Sequence, residues 1–470
     1  MRMKRLLLRL IIFFWPILFG CQAMLPQIRP GLEQDGEVYL YVQPFPPEAE
    51  RLSFVIETIS AVSNDGREFP LSVSLPELKS GVVKRQRLLA TGVLPADEYS
   101  GFSIRVKNAS LKGEGGASPL LVPEVPTKVD FRFAVTRRKG YIICLELRYA
   151  ESLGAGFSFN PAFFMFFPQK APLNLLGFVT NTGSNDISVF NKKSLQVFDV
   201  IVTGRGPSGM ALDQRANRAY VALSGEDSVD IIDILGGSIA DRIRLNPGDE
   251  PRELALTADG RTLLSANTGS GTVSFIDTAS RFEVARIKVG DGPNSILIDP
   301  TGRRALVFDY QSNDISVIDI SARVVIATIS TDPGPVRGQF SRRGDKLYVI
   351  QELSPFVLVL NPTPLTVVGR FSVRPGMISI KVDPNTDLIY LGRKRDITAG
   401  LYDPFAFVPI GFINTGTTIA YMAIDGDNNT LFMVAPDTKS VLVSSLTSRR
   451  IVGEIDVGEG PYWATMIGER

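Results

Sequence analysis

The 470-residue chain contains no histidine. Without an imidazole there is no Ser-His-Asp or Cys-His-Asn triad, no His-ligated zinc and no haem held by a C-x-x-C-H motif. Two cysteines rule out a disulfide framework. Neither sign of charge is in excess. Fifty Lys and Arg face 49 Asp and Glu, which leaves nothing to neutralise a phosphate backbone and removes nucleic acid as an expected partner. No G-x-x-x-x-G-K-[ST] and no G-x-S-x-G string occurs. What is present is ordinary globular material, 44% hydrophobic and 21% charged, on a length that suggests about three domains.

The first segment reads as an address. Arg2, Lys4, Arg5 and Arg9 precede or enter an apolar run that ends at Gly20, the pattern of a positively charged region followed by a hydrophobic one. Leu18-Phe19-Gly20-Cys21 resembles the lipobox of bacterial lipoproteins. The resemblance implies a signal peptide over 1–20, with Cys21 as the lipidated first residue of the mature chain. Acyl chains then make the membrane a partner, at roughly 0.8 kcal/mol per buried CH₂. The alternative is an uncleaved apolar anchor with an incidental Cys. Gln22 stands where Asp would retain a Gram-negative lipoprotein. By resemblance the address is the outer membrane, with the protein periplasmic or surface-exposed. Residues 21–35 comprise the lipidated Cys and a tether of Pro, Gly and polar residues without periodicity.

A repeat dominates the rest. Phe178-Val179-Thr180-Asn181, Tyr220-Val221-Ala222-Leu223, Leu264-Ser265-Ala266-Asn267 and Leu306-Val307-Phe308-Asp309 line up, and further copies begin at Tyr348, Tyr390 and Phe432. A second series (ISVF at 187, VDII at 229, VSFI at 273 and onward) and a third (Pro207, Pro251, Pro293, Pro335, Met377, Ile419, Pro461) keep the same register. Each unit holds four short β-branched or apolar runs between Gly, Asp, Asn and Pro turns. That is one four-stranded blade of a β-propeller. The repeat is out of phase with the blade. Residues 177–204 supply three strands, and 461–467 supply an isolated one. Pairing the tail with the start closes the ring and removes two sheet edges.

Phe178-Val179-Thr180-Asn181 looks like the YVTN signature. A V-x-V-I-D run followed by I-x-V-G-x-x-P recurs, clearest in 273–293 and 315–335. On these motifs residues 177–470 resemble the YVTN-type seven-bladed β-propeller family, whose members occur in cell-envelope and surface proteins, most without assigned catalysis. The repeats at Tyr390 and Phe432 depart from the pattern, and those blades are expected to carry the distinctive surface.

Residues 36–168 alternate without the repeat and hold eight strand candidates, the spacing of a β-sandwich. Leu94-Pro95-Ala96-Asp97-Glu98-Tyr99 followed by SIRVKNASL resembles an uncharacterised bacterial sandwich family (domain of unknown function 4382), which brings no known activity. The expected fold is therefore all-β: a sandwich over 36–168, a linker over 169–176 and a seven-bladed propeller over 177–470, closed by its C-terminal strand. Cys144, in a strand-like run, is expected to be a small core hydrophobe. Six Phe lie between Phe157 and Phe167. They read as a last strand plus inter-domain packing, or alternatively as a contact for a partner or membrane.

Several motifs reduce to turns. Gly204-Arg205-Gly206-Pro207-Ser208-Gly209 matches G-x-G-x-x-G, but a strand follows it and Pro207 removes an amide. Asp425-Gly426-Asp427-Asn428-Asn429 has the spacing of a calcium loop start without the distal Glu, and aligns with the turn 299–304. It reads as a turn, with a weak calcium site as the alternative. Asp233, Asp277, Asp319 and Asp403 recur at the end of the third strand of their blades, where they should cap the next turn through backbone amides. Neither cofactor nor metal is expected.

With strands A to D alternating in direction, the D–A and B–C turns share one face. There the residues vary between blades, as recognition surfaces on repeats do. The candidates are Arg205, Glu250, Arg252, Asp291, Asn294, Arg337, Arg374, Lys394, Arg395, Asp396 and Tyr462, rimmed by the turns TGSN, SGED and TGSG. The expected function is a non-enzymatic, envelope-anchored lipoprotein whose propeller binds a partner protein or surface polymer. The alternative is a lactonase- or cyclase-like propeller enzyme working through channel carboxylates and Arg.

Overall fold

A single blade of about 42 residues exposes both faces of its sheet, so the repeats must stack to bury them. In a computed structural model, which describes residues 32–154 and 157–469, they do so as seven four-stranded antiparallel sheets. Blade 1 combines 176–202 with 461–466. Blades 2 to 7 occupy 207–244, 251–288, 293–330, 335–372, 377–414 and 421–456. In blade 4 the strands Pro293–Ile298, Arg304–Asp309, Asp314–Asp319 and Val324–Ser330 fall where the sequence runs place them. Closure is as expected. The C-terminal strand Pro461–Met466 pairs antiparallel with Leu176–Asn181, with Gly177 opposite Met466 and Val179 opposite Ala464. The core lies between blades: Phe190 of blade 1 and Phe432 of blade 7 approach to 5.6 Å, centroid to centroid.

The recurrent side chains do structural work. Asp277 and Asp319 accept the N–H groups of Ser280 and Ala322, each at 2.7 Å. Asp233 accepts Leu235 N–H at 3.1 Å, and Asp403 those of Phe405 and Ala406. The expected C–D turn cap is thus present in all four. Asn181 of the YVTN-like string is fully buried and donates to Asp186 at 2.6 Å and Ser188 at 2.9 Å, tying strand B to strand C. Two of the turns read as a rim also join blades. Thr182 donates to the Pro207 carbonyl and Thr268 to that of Pro293, both at 2.7 Å.

The N-terminal domain uses strands β1 (Asp35–Val42), β2 (Leu52–Ser63), β3 (Glu68–Val73), β4 (Glu77–Lys79), β5 (Arg87–Pro95), β6 (Glu98–Gly113), β7 (Gly116–Leu120), β8 (Thr127–Ala134) and β9 (Gly140–Leu147). All eight expected strands form. β3 pairs with both β2 and β5, so the two layers of the sandwich are halves of one folded ten-stranded sheet, a half-barrel. The LPADEY string is a turn closed by its own tyrosine: the Tyr99 hydroxyl donates to Pro95 O at 2.9 Å. The Phe-rich segment divides. Phe159 packs on Phe54 at 4.8 Å, Phe163–Phe166 adds a strand to β9, and Phe166 reaches the propeller side. Phe157, Phe164 and Phe167 stay exposed.

The half-barrel docks on the outer strands of blades 1 and 7, the two blades that flank the closure. Gln86 acts as a stub of strand: its amide donates to Val197 O at 3.0 Å and accepts Val197 N–H at 2.8 Å, covering a free sheet edge. Asp456 of blade 7 accepts from Arg85 at 2.6 Å, Arg87 at 2.8 Å and Leu88 N–H at 3.0 Å. Tyr39 donates to Asp186 of blade 1 at 2.7 Å. Cys144 lies in this joint and not in the half-barrel core, and burial pushes its thiol up to about 11.

Candidate binding face at the propeller channel

The innermost strands begin with a turn residue and then slip register. Pro251 pairs with Asn267 but Glu253 with Ala266, and the same one-residue bulge follows Pro293, Pro335 and Met377. A bulge re-aims side chains. Here it brings consecutive residues, Arg252 and Glu253, to the channel.

Three layers of contact span the channel. At the mouth, Arg252 of blade 3 donates from Nε to the Tyr462 hydroxyl of blade 1 at 2.9 Å, its guanidinium carbon 5.6 Å from the ring centroid. The Tyr462 oxygen raises the Arg252 guanidinium further above its ordinary value, so it stays charged. One residue deeper, Arg337 of blade 5 pairs with Glu253 of blade 3, both buried. Arg337 also lies 4.8 Å from the ring centroid of Tyr421 in blade 7 and 5.2 Å from that of Trp463 in blade 1. Those two rings stack at 4.0 Å. Burial pushes the Glu253 carboxyl up, against the pull of Arg337 and the Ser295 hydroxyl. Arg337 Nε–H and the Trp463 indole N–H are buried with no acceptor among the described residues. At the opposite end Glu469 accepts from Lys381 at 2.8 Å and Thr465 at 2.9 Å.

Four of the eleven candidates, Arg252, Asn294, Arg337 and Tyr462, are brought to the channel, where Asn294 donates to Val336 O at 2.8 Å. The others stay on the outer rim. Arg205 pairs with Glu226 at 3.6 Å, Lys394 with Glu352 at 3.0 Å, Asp291 with Lys288 at 3.5 Å and Asp396 with Arg393. Glu250 donates its N–H to Asp227, and Arg374 and Arg395 are exposed. Sequence reasoning missed Glu253, Tyr421 and Trp463. A signal was available, since each lies two positions after the repeat's turn residue, in register with Arg337. The blade at 421–456, one of the two that depart from the pattern, supplies Tyr421. The Asp425 turn holds an ammonium: Lys192 Nζ sits 3.2 Å from Asp425 Oδ1, and Asn428 donates to Oδ2 at 2.6 Å. Cys21 lies outside the described residues.

Residues 171–376 match the YNCE-like β-propeller family. No curated protein matches the chain. Among solved structures, a hydrazine synthase chain of Kuenenia stuttgartiensis is 16% identical, with a TM-score of 0.52 over 57% of this chain and 91% of its own. The dihydro-heme d1 dehydrogenase NirN is 14% identical, with a TM-score of 0.52 over 64% and 77%. A candidate 6-phosphogluconolactonase from Bacteroides uniformis is 15% identical, with a TM-score of 0.54 over 62% and 99%. At such identities the likeness is one of fold, and a fold shared by redox proteins and lactonase candidates carries no single activity.

Proposed function

We propose that the protein is a lipid-anchored component of the bacterial cell envelope whose propeller is a binding module, engaging an acidic group of a partner protein or surface polymer at the channel mouth. One observation carries the reading. Two buried donors beside the charged Arg252, Arg337 Nε–H and Trp463 Nε1–H, lack acceptors among the described residues. An unmet buried donor costs about 1–3 kcal/mol, and a ligand carboxylate or hydroxyl relieves it. Arg, Tyr and Trp gathered at the centre of a face are also the residues that dominate binding energy at interfaces. Glu253, the buried acid of the channel layer, is engaged by Arg337 and is poorly placed to act as a general base.

Crosslinking in intact envelopes tests this. The wild-type chain should capture one specific partner, and Arg252→Ala and Trp463→Phe should lose it while remaining folded. Recovery of monomer alone, or a partner that both variants keep, overturns the reading. Lactone hydrolysis by the purified protein, abolished by Glu253→Gln, would replace it with the enzymatic alternative.

A further inference from the structure

A cleft of about 740 Å³ lies where the half-barrel meets the propeller, away from the channel. One wall is the turn between β8 and β9, with Arg137, Arg138 and Lys139. The other is the outer strand Ser238–Arg244 of blade 2, with Arg242 and Arg244. Lys170 of the linker and the outer strand Gln196–Val202 form the floor. Six cations thus face two carboxylates, Asp199 and Asp241.

Both carboxylates are already occupied. Asp199 accepts Val200 N–H at 2.9 Å and faces Lys170. Asp241 accepts Arg242 N–H at 2.8 Å and pairs with Arg281. Arg242 is itself held by Asp230 and Glu226. Arg137, Arg138, Lys139 and Arg244 make no side-chain hydrogen bond or ion pair with any described residue. Four unpaired cations on opposite walls of one cleft repel one another. A lone surface charge would simply be solvated, but cations gathered in a concave site raise the local concentration of anions. Arg forks match the oxygens of phosphate in pairs.

We propose that this inter-domain cleft is a binding site for a phosphate-bearing anion, either a soluble phosphate or the headgroup of an anionic lipid. It is independent of the channel site. The full chain in neutral detergent micelles is titrated with pyrophosphate, and in a second arm the micelles are doped with phosphatidylglycerol. Acetylation of Lys139 and Lys170 is read by mass spectrometry. At least one arm should protect both lysines, less so as salt is raised, and the responding arm identifies the source of the phosphate. The Arg137→Glu/Lys139→Glu variant, and separately Arg244→Glu on the facing wall, should weaken the effect roughly 10- to 100-fold. Their melting temperatures should not change, because these side chains hold nothing in the fold. Lack of protection in both arms, or equal protection in the variants, overturns the proposal.

Discussion

Asp309 shows how much depends on one atom. It occupies in blade 4 the position that Asn181 holds in blade 1 and Asn267 in blade 3, each Asn donating to hydroxyl or carboxylate partners on the next strand. Asp309 accepts from Ser316 at 2.7 Å, while its other oxygen is buried without a hydrogen-bond partner among the described residues. Burial, with Asp314 nearby, raises its carboxyl from an ordinary 3.8 to about 7. A protonated Asp309 supplies the donor that Asn supplies elsewhere. Because the folded state holds this proton more tightly than the unfolded chain, its contribution is fully present below about pH 4 and is lost as pH rises through about 7. The melting temperature of Asp309→Asn should therefore gain on the wild type between pH 5 and pH 8. A constant difference would contradict the assignment. The Arg337–Glu253 pair makes the complementary case. Arg337→Met leaves Glu253 buried without its cation and should cost about 3–5 kcal/mol in urea unfolding. Glu253→Gln, which keeps a hydrogen-bonding partner for the guanidinium, should cost less.

At the scale of strands, the closing element is the most exposed to test. Deleting 461–470 removes the innermost strand of blade 1 and the Trp463 layer together, and should lower the melting temperature of the whole ring. Unchanged melting would mean that closure contributes nothing. The outer strands differ from blade to blade. That of blade 1 is covered by the half-barrel and that of blade 7 only in part, with Ile451 and Val452 exposed, whereas blades 4 to 6 expose Val324, Val325, Ile326, Val368 and Phe412. Uncovered apolar edges template aggregation. Ile326→Lys should slow aggregation on heating, read by light scattering, with a stability change within about 0.5 kcal/mol. The strands themselves were legible because repeat and blade are the same unit, so each turn residue marks its own boundary. The site was legible only in part. Its decisive contacts join Arg252 to Tyr462 and Glu253 to Arg337 across the ring, and nothing local in a repeat says which residue will face which across the axis.

For the whole molecule, the half-barrel acts as a brace. It touches blades 1 and 7 through Gln86, Tyr39 and Asp456, and so spans the two blades that flank the closing strand. None of this was readable beforehand, because a Gln standing in for a strand and an Asp gathering three donors leave no periodic trace. Asp456→Ala strands two arginines and a backbone amide. It should destabilise the protein by about 2–4 kcal/mol and expose the linker to limited proteolysis, while sparing blades 3 to 5.

Tyr462 and Trp463 sit on the strand that completes blade 1. The channel face proposed as the binding site is therefore incomplete until residue 463 has been made. A product terminated before it lacks both the closing strand and the Tyr462 and Trp463 rings. One strand thus both seals the ring and completes the channel face.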